Sequence, residues 1–215
     1  MTVSIVLASA SPARRKLLHA AGIEPSIVVS AVDEDAVVAA AREAYGDLAA
    51  EDIALVLARA KAEDVATEIE GAVVVGCDSV LELDGEIHGK PADAAEAVAR
   101  WRRMSGSSGV LHTGHWLIDT RDDETGGSGA TLGATASTTV HFARLTDAEI
   151  EDYVGTGEPL RVAGAFTLDG LGGPFVSGIE GDPSNVVGLS LPLLRELLAE
   201  VGLSWHSLRA PGTPV

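Results

Sequence analysis

A two-residue turn, Asp84-Gly85, constrains this chain more than any other feature. It sits inside the stretch VVVGCDSVLELDGEIHGKPAD over 73–93. Asp-Gly between apolar segments is the strongest short-range hairpin signal. Val73, Val74 and Val75 form a β-branched run, the pattern of a strand covered on both faces. A tight turn then sets the register: Leu83 opposite Glu86, Leu81 opposite His88, Ser79 opposite Lys90. The hairpin therefore carries Lys90 back toward Asp78, the acid at the end of the buried run. Gly89 and Pro91 interrupt a regular ladder there, so the face taken by Lys90 stays open. A carboxylate and an ammonium at the end of a buried strand are a candidate active site. A structural ion pair in a hairpin is the equal alternative.

The segment before this hairpin predicts a strand over 3–7 and a turn containing Ser9 and Ser11. A helix follows, with Ser11 as N-cap and Pro12 at its first position. Arg14 and Arg15 then fall in the first helical turn, where the helix dipole favours anions over cations. A bound phosphate resolves that conflict, because serine hydroxyls, helix N–H groups and guanidinium forks all suit phosphate oxygens. Solvated surface arginines are the competing reading. The GxxxxGK[ST] phosphate loop is absent. Asp33, Glu34 and Asp35 follow a short strand expected over 26–30. They read as a solvated helix start, although such a cluster can also hold a hard cation.

A long helix is expected over 47–70. Ile53, Leu57 and Lys61 share one stripe on it, so Lys61 extends an otherwise apolar face. It is either a snorkelling lysine or a charge delivered into a cleft. A helix over 93–104 and paired strands over 110–120 and 134–144 come next. His112 and His115 point to opposite faces of their strand and share no metal, so both read as structural or surface residues. The polar tip over 121–133 reads as mobile. Thr146 and Glu149 form a capping box. Gly164, Gly170, Gly172 and Gly173 then punctuate a segment that wraps closely around something, with Asp169 among them. Ser190 caps a last amphipathic helix, and the tail from 204 onward reads as frayed.

Charge narrows the function classes. The 215 residues carry a net charge of −17, which argues against nucleic acid or an anionic membrane as partner and leaves room for a local basic pocket. With 46% hydrophobic residues the chain is a folded globule. No apolar run spans a bilayer, and the N-terminus lacks the basic start of a signal peptide, so the cytoplasm is the expected compartment. One cysteine, Cys77, excludes an intrachain disulfide framework and reads as a packing residue.

Taken together, LASASPARRKLL at 7–18, VDE at 32–34, LARAKA at 57–62, GCDSVLELDGEIHGKPAD at 76–93, SG at 105–106 with HTG at 112–114, GEPLRVAGAF at 157–166 and the 170–191 run with NVVGL at 185–189 lie in order along nearly the whole chain. In these motifs the chain resembles the Maf family of nucleoside triphosphate pyrophosphatases. The resemblance implies a single mixed α/β domain of the Maf/inosine-triphosphatase-like kind, with two lobes flanking a deep cleft, and a homodimer. It implies cleavage of a nucleoside triphosphate between the α and β phosphorus, clearing particular or modified nucleotides. A non-catalytic, nucleotide-binding regulator of septum formation and cell division is the alternative role attached to the family. By position, Asp78 would be the proton acceptor. Ser9, Arg14, Arg15, Lys61 and Lys90 would bind substrate, and Glu34 and Asp78 would hold Mg²⁺ or Mn²⁺. Ala13, Ser79 and Asp169 occupy the family's specificity positions. They match neither the dTTP/UTP-type pattern nor the 7-methyl-GTP-type pattern in full, so the preferred base stays open.

Overall fold

The computed structural model describes residues 3–208. The 73–93 segment forms two paired strands, β3 (Ala72–Leu83) and β4 (Glu86–His88). Leu83 faces Glu86 and Leu81 faces His88, as the turn dictates. Asp84 and Gly85 both take left-handed φ values, 52° and 77°, which a two-residue hairpin turn of this hand requires.

β3 is the spine of a seven-stranded sheet. On one edge its first half pairs in parallel with β1 (Ser4–Ala8), from Ser4–Ala72 to Ala8–Gly76. Its last residues pair on that edge with β4. Residues 77–80 have no strand partner there, so the sheet has a notch between β1 and β4. The other edge pairs without a gap from Val73 to Glu82, antiparallel, with β5 (Ser108–Asp119). β6 (Thr131–Phe142) and β7 (Val176–Glu180) continue the sheet beyond β5, and the two-residue β2 (Ser26–Ile27) closes the far edge on β1. β7 is a strand that its glycine-interrupted sequence does not announce. β2 is shorter than the 26–30 expected.

The two faces of β3 divide the molecule. Val73, Val75 and Cys77 pack in one core with α1 (Pro12–Ala20) and α7 (Leu191–Glu200). Leu81 and Leu83 pack in a second core with α4 (Ala94–Met104) and α5 (Asp147–Gly155). Ser79 lies on the same face, between these two cores. Here the short α6 (Pro183–Val187) crosses a polar seam. Buried Asn185 donates to the Leu111 carbonyl and to Thr138 Oγ1, and buried His115 accepts from Ser190 N. Both His112 and His115 are structural, and neither is at the surface.

The opposite face is covered by α3 (Ala50–Ala66), which runs beside α2 (Glu34–Tyr45). α3 lies on the sheet at backbone contact, because glycines face alanines. A Cβ on Gly76 would sit 2.2 Å from the Ala58 carbonyl oxygen, and one on Gly114 would sit 2.2 Å from that of Ala54. No bulkier pair permits this approach.

The β5–β6 tip is pinned at its base. Asp119 accepts hydrogen bonds from Arg121 and from both Ser128 donors, and Arg121 also reaches the Val201 carbonyl. The tail is docked through a turn at Trp205–Leu208, where Leu208 is buried and Trp205 donates to the Ala21 carbonyl. The rest of the segment expected to fray lies outside the described residues. Among the described residues, no helix is long and apolar enough to cross a membrane.

Candidate active site

The notch in the sheet is where three chain segments converge. β1 ends at Ala8 and turns through Ser9 into α1, whose N-terminus points at the notch. This is the usual anion position at the carboxyl end of a parallel strand. β4 returns toward the notch and leaves as the loop bearing Lys90. α3 crosses behind it. The result is a cleft of about 580 Å³ lined from all three, with Asp78 and Ser79 at the back.

Asp78 faces α3, because it shares strand parity with Val74 and Val80. The close α3 contact at Gly76 brings Lys61 down on it, with Nζ 2.5 Å from the Asp78 carboxylate. The same ammonium lies 2.7 Å from Glu34, the first residue of α2. Lys61 thus bridges two carboxylates. Asp78 is 8% exposed, and burial raises its pKa above the carboxylate range against the pull of Lys61 and Arg14. Partial burial also opposes ionisation of Glu34, but the hydrogen bond and charge of Lys61 outweigh it and hold that pKa below its usual value.

The ammonium on Asp78 is therefore that of Lys61, not the Lys90 ammonium expected from the hairpin. The ladder ends at His88, and Gly89 is drawn aside by hydrogen bonds from Gly164 N and from the buried Arg100 guanidinium to its carbonyl. Lys90 stands exposed on the cleft wall, close enough to lower the pKa of Glu34.

Ser11 caps α1 and Pro12 opens it, as expected. Arg14 turns inward and is buried. Its Nε donates to the Gly188 carbonyl at 2.6 Å, Nη1 to Ser9 Oγ at 2.9 Å and Nη2 to Ser79 Oγ at 3.1 Å. All three acceptors are neutral. Ser79 is fixed in turn by Thr113 Oγ1, and Thr113 donates to the Asn185 carbonyl. Arg15 points away from the cleft to an exposed ion pair with Glu24. Ala13 lines the cleft with its small side chain, and Asp169 lines it as an exposed carboxylate.

Of the three clustered acids, only Glu34 enters the carboxylate pair. Asp33 caps α2, while Asp35 lines the cleft. Among the described residues no group of three or more metal-ligating side chains occurs, so any cation here would rest on the Glu34–Asp78 pair. Cys77 is fully buried, and burial pushes its thiol up to about 11, as befits a packing residue.

Two supporting residues gave no local signal. Arg100 sits on the buried face of α4, paired with Glu96, and holds Gly89 beside Lys90. Glu158 accepts from Tyr153, Thr167, Leu171 N and Gly172 N, and so shapes the loop that presents Asp169.

Fold and site together define a mixed α/β protein whose central strand delivers a buried carboxylate into a cleft walled by a helix N-terminus and several cations. The sequence profile of the Maf-like protein family matches residues 4–201, and the chain belongs to that family. It is 57% identical over 218 residues to a nucleoside triphosphate pyrophosphatase of Salinispora tropica, covering 99% of this chain and 90% of that one. It is 54% identical to a protein of the same name from Streptomyces coelicolor, covering 96% and 95%. A third, from Leifsonia xyli subsp. xyli, is 51% identical and covers 95% of each chain.

Proposed function

We propose that this protein is a nucleoside triphosphate pyrophosphatase that cleaves the α–β phosphoanhydride, releasing a nucleoside monophosphate and pyrophosphate. The observation that carries this reading is Arg14. A buried guanidinium bound only to neutral oxygens is costly, and its remaining donors suit an anion arriving at the start of α1. The names of the relatives above, and family membership, agree with a triphosphate as that anion.

In this reading water attacks the α phosphorus, the bond to the bridging oxygen breaks, and pyrophosphate leaves with the electron pair. Asp78 takes the proton of the water, and burial, by raising its pKa above the usual carboxylate value, makes it the stronger base. Lys61 holds the Asp78 and Glu34 carboxylates in place. Arg14, Ser9 and Lys90 bind phosphate oxygens, and most of the catalysis is positioning and charge neutralisation. Glu34 and Asp78 fit a hard divalent cation such as Mg²⁺ or Mn²⁺, which typically takes one or two carboxylates plus substrate oxygens and water. When bound, such a cation neutralises phosphate charge and polarises the phosphorus. A buried acid positioned for proton transfer favours an enzyme over a purely binding regulator. Asp169, whose carboxylate has no partner among the described residues, and Ala13 both line the cleft and are assigned to base selection. Ser79 acts first by fixing Arg14.

The test is a panel of nucleotides, including dTTP, UTP, CTP and 7-methyl-GTP, incubated with Mg²⁺ or Mn²⁺ and followed by phosphorus NMR. Monophosphate plus pyrophosphate is expected. Diphosphate plus orthophosphate, or no turnover of any member, overturns the assignment.

A further inference from the structure

Charge is sorted unevenly over this molecule. Among the described lysines and arginines, six have no carboxylate oxygen within 4.0 Å: Arg14, Lys16, Arg42, Lys90, Arg144 and Arg161. Four of those six, all but Lys16 and Arg144, line the cleft around Asp78. In a chain of net charge −17 a free cation should attract a carboxylate readily, so the sparing of these four calls for a cause.

Arg14 and Lys90 have one, in the reaction above. Arg42 and Arg161 do not. Arg42 lies on α2 two helical repeats beyond Glu34, and Glu34, Val38 and Arg42 all face the cleft. At about 1.5 Å per residue, Arg42 stands roughly 12 Å along the helix from the carboxylate pair. Arg161 stands on the other wall, in the turn Pro159–Arg161, three residues before the Gly164 N–H that ties this wall to the Lys90 loop. Both side chains are exposed and neither donates a side-chain hydrogen bond among the described residues. Five cationic and four anionic side chains line the cleft, and without these two arginines the acids would outnumber the cations.

We propose that Arg42 and Arg161 are substrate-binding residues, an outer pair on opposite walls that makes the cleft attractive to a polyphosphate and holds it there. The proposal rests on the pyrophosphatase reading for its substrate, but its test does not require turnover. Inorganic tripolyphosphate is titrated calorimetrically into wild type, Arg42→Gln and Arg161→Gln, at low and moderate salt. Lys16→Gln and Arg144→Gln make the same charge change outside the cleft and serve as controls. The two cleft variants should bind about three- to tenfold more weakly, with a shallower salt dependence, while the controls stay within about twofold of wild type. With a nucleotide that is turned over, KM should rise by the same factor and kcat should change less than about twofold. Because neither side chain has a partner among the described residues, thermal melting should not move. Wild-type affinity in both cleft variants, equal weakening in the controls, or no tripolyphosphate binding by wild type overturns the proposal. Tripolyphosphate binding that follows this pattern, in a protein that turns over no nucleotide, supports the outer pair and refutes the enzymatic reading alone.

Discussion

His115 makes the fold acid-sensitive in a window that can be calculated. Its ring is fully buried between Cys77 and α6, with Nδ1 on the Thr113 carbonyl at 3.0 Å and Nε2 accepting from Ser190 N at 2.8 Å. That pair of bonds requires the neutral ring, since the imidazolium has no acceptor to offer Ser190. Burial lowers its pKa from 6.5 to about 4. Because the folded-state value lies below the unfolded one, the unfolded chain binds the extra proton first as pH falls. The stability is therefore fully present above pH 6.5 and is lost on the way down to about 4. The slope is about 1.4 kcal/mol per pH unit, and the whole loss about 3 kcal/mol. His88, also lowered by burial, adds slope of the same sign, and Asp78, raised by burial, adds the opposite. A comparison with His115→Gln isolates the one ring. The glutamine oxygen still accepts from Ser190 N, but the bond to Thr113 is lost, at about 1 kcal/mol at every pH. Urea unfolding is measured from about pH 8 to about pH 4.5. The variant should start lower and lose less, so that the two curves converge or cross. Parallel curves through that window would show that His115 is not the buried neutral group described.

Three further perturbations probe the site. Gly76→Ala forces α3 off the sheet at Ala58, and should cost about 1–3 kcal/mol in chemical denaturation. It should also lower kcat, because Lys61 moves with the helix; unchanged turnover would sever that link. Lys61→Met removes the ammonium from Asp78, so the Asp78 pKa rises further and the acid limb of the pH–rate profile shifts upward. An unmoved limb argues against Asp78 as the base. Asp169→Gln should change the ranking of nucleotides more than the overall rate, and equal losses for every base would remove Asp169 from base selection.

How much of this was legible in the sequence depends on the range of the interaction. The Asp84-Gly85 turn, the Ser11–Pro12 helix start and the Thr146–Glu149 capping box are local, and the structure shows each as its residues dictate. The Ile53–Leu57–Lys61 stripe was visible too, but not its destination. What joins Lys61 to Asp78 is the approach of Ala54 and Ala58 to Gly114 and Gly76, contacts between residues far apart in the chain and small enough to carry no periodic signal. For the same reason Lys90 looked like the partner of Asp78: the ladder predicts it, and the tertiary bonds to the Gly89 carbonyl overrule it. Arg14 and Arg15 are indistinguishable by composition. Helix phase sends one beneath Gly188 and the other to Glu24.

The most direct test of the central claim is hydrolysis in water enriched in heavy oxygen, with Mg²⁺, comparing wild type with Asp78→Asn. The account predicts label on the phosphorus of the nucleoside monophosphate, none in pyrophosphate, and turnover largely lost in the variant. Label in pyrophosphate or orthophosphate, or a variant as fast as wild type, would contradict it.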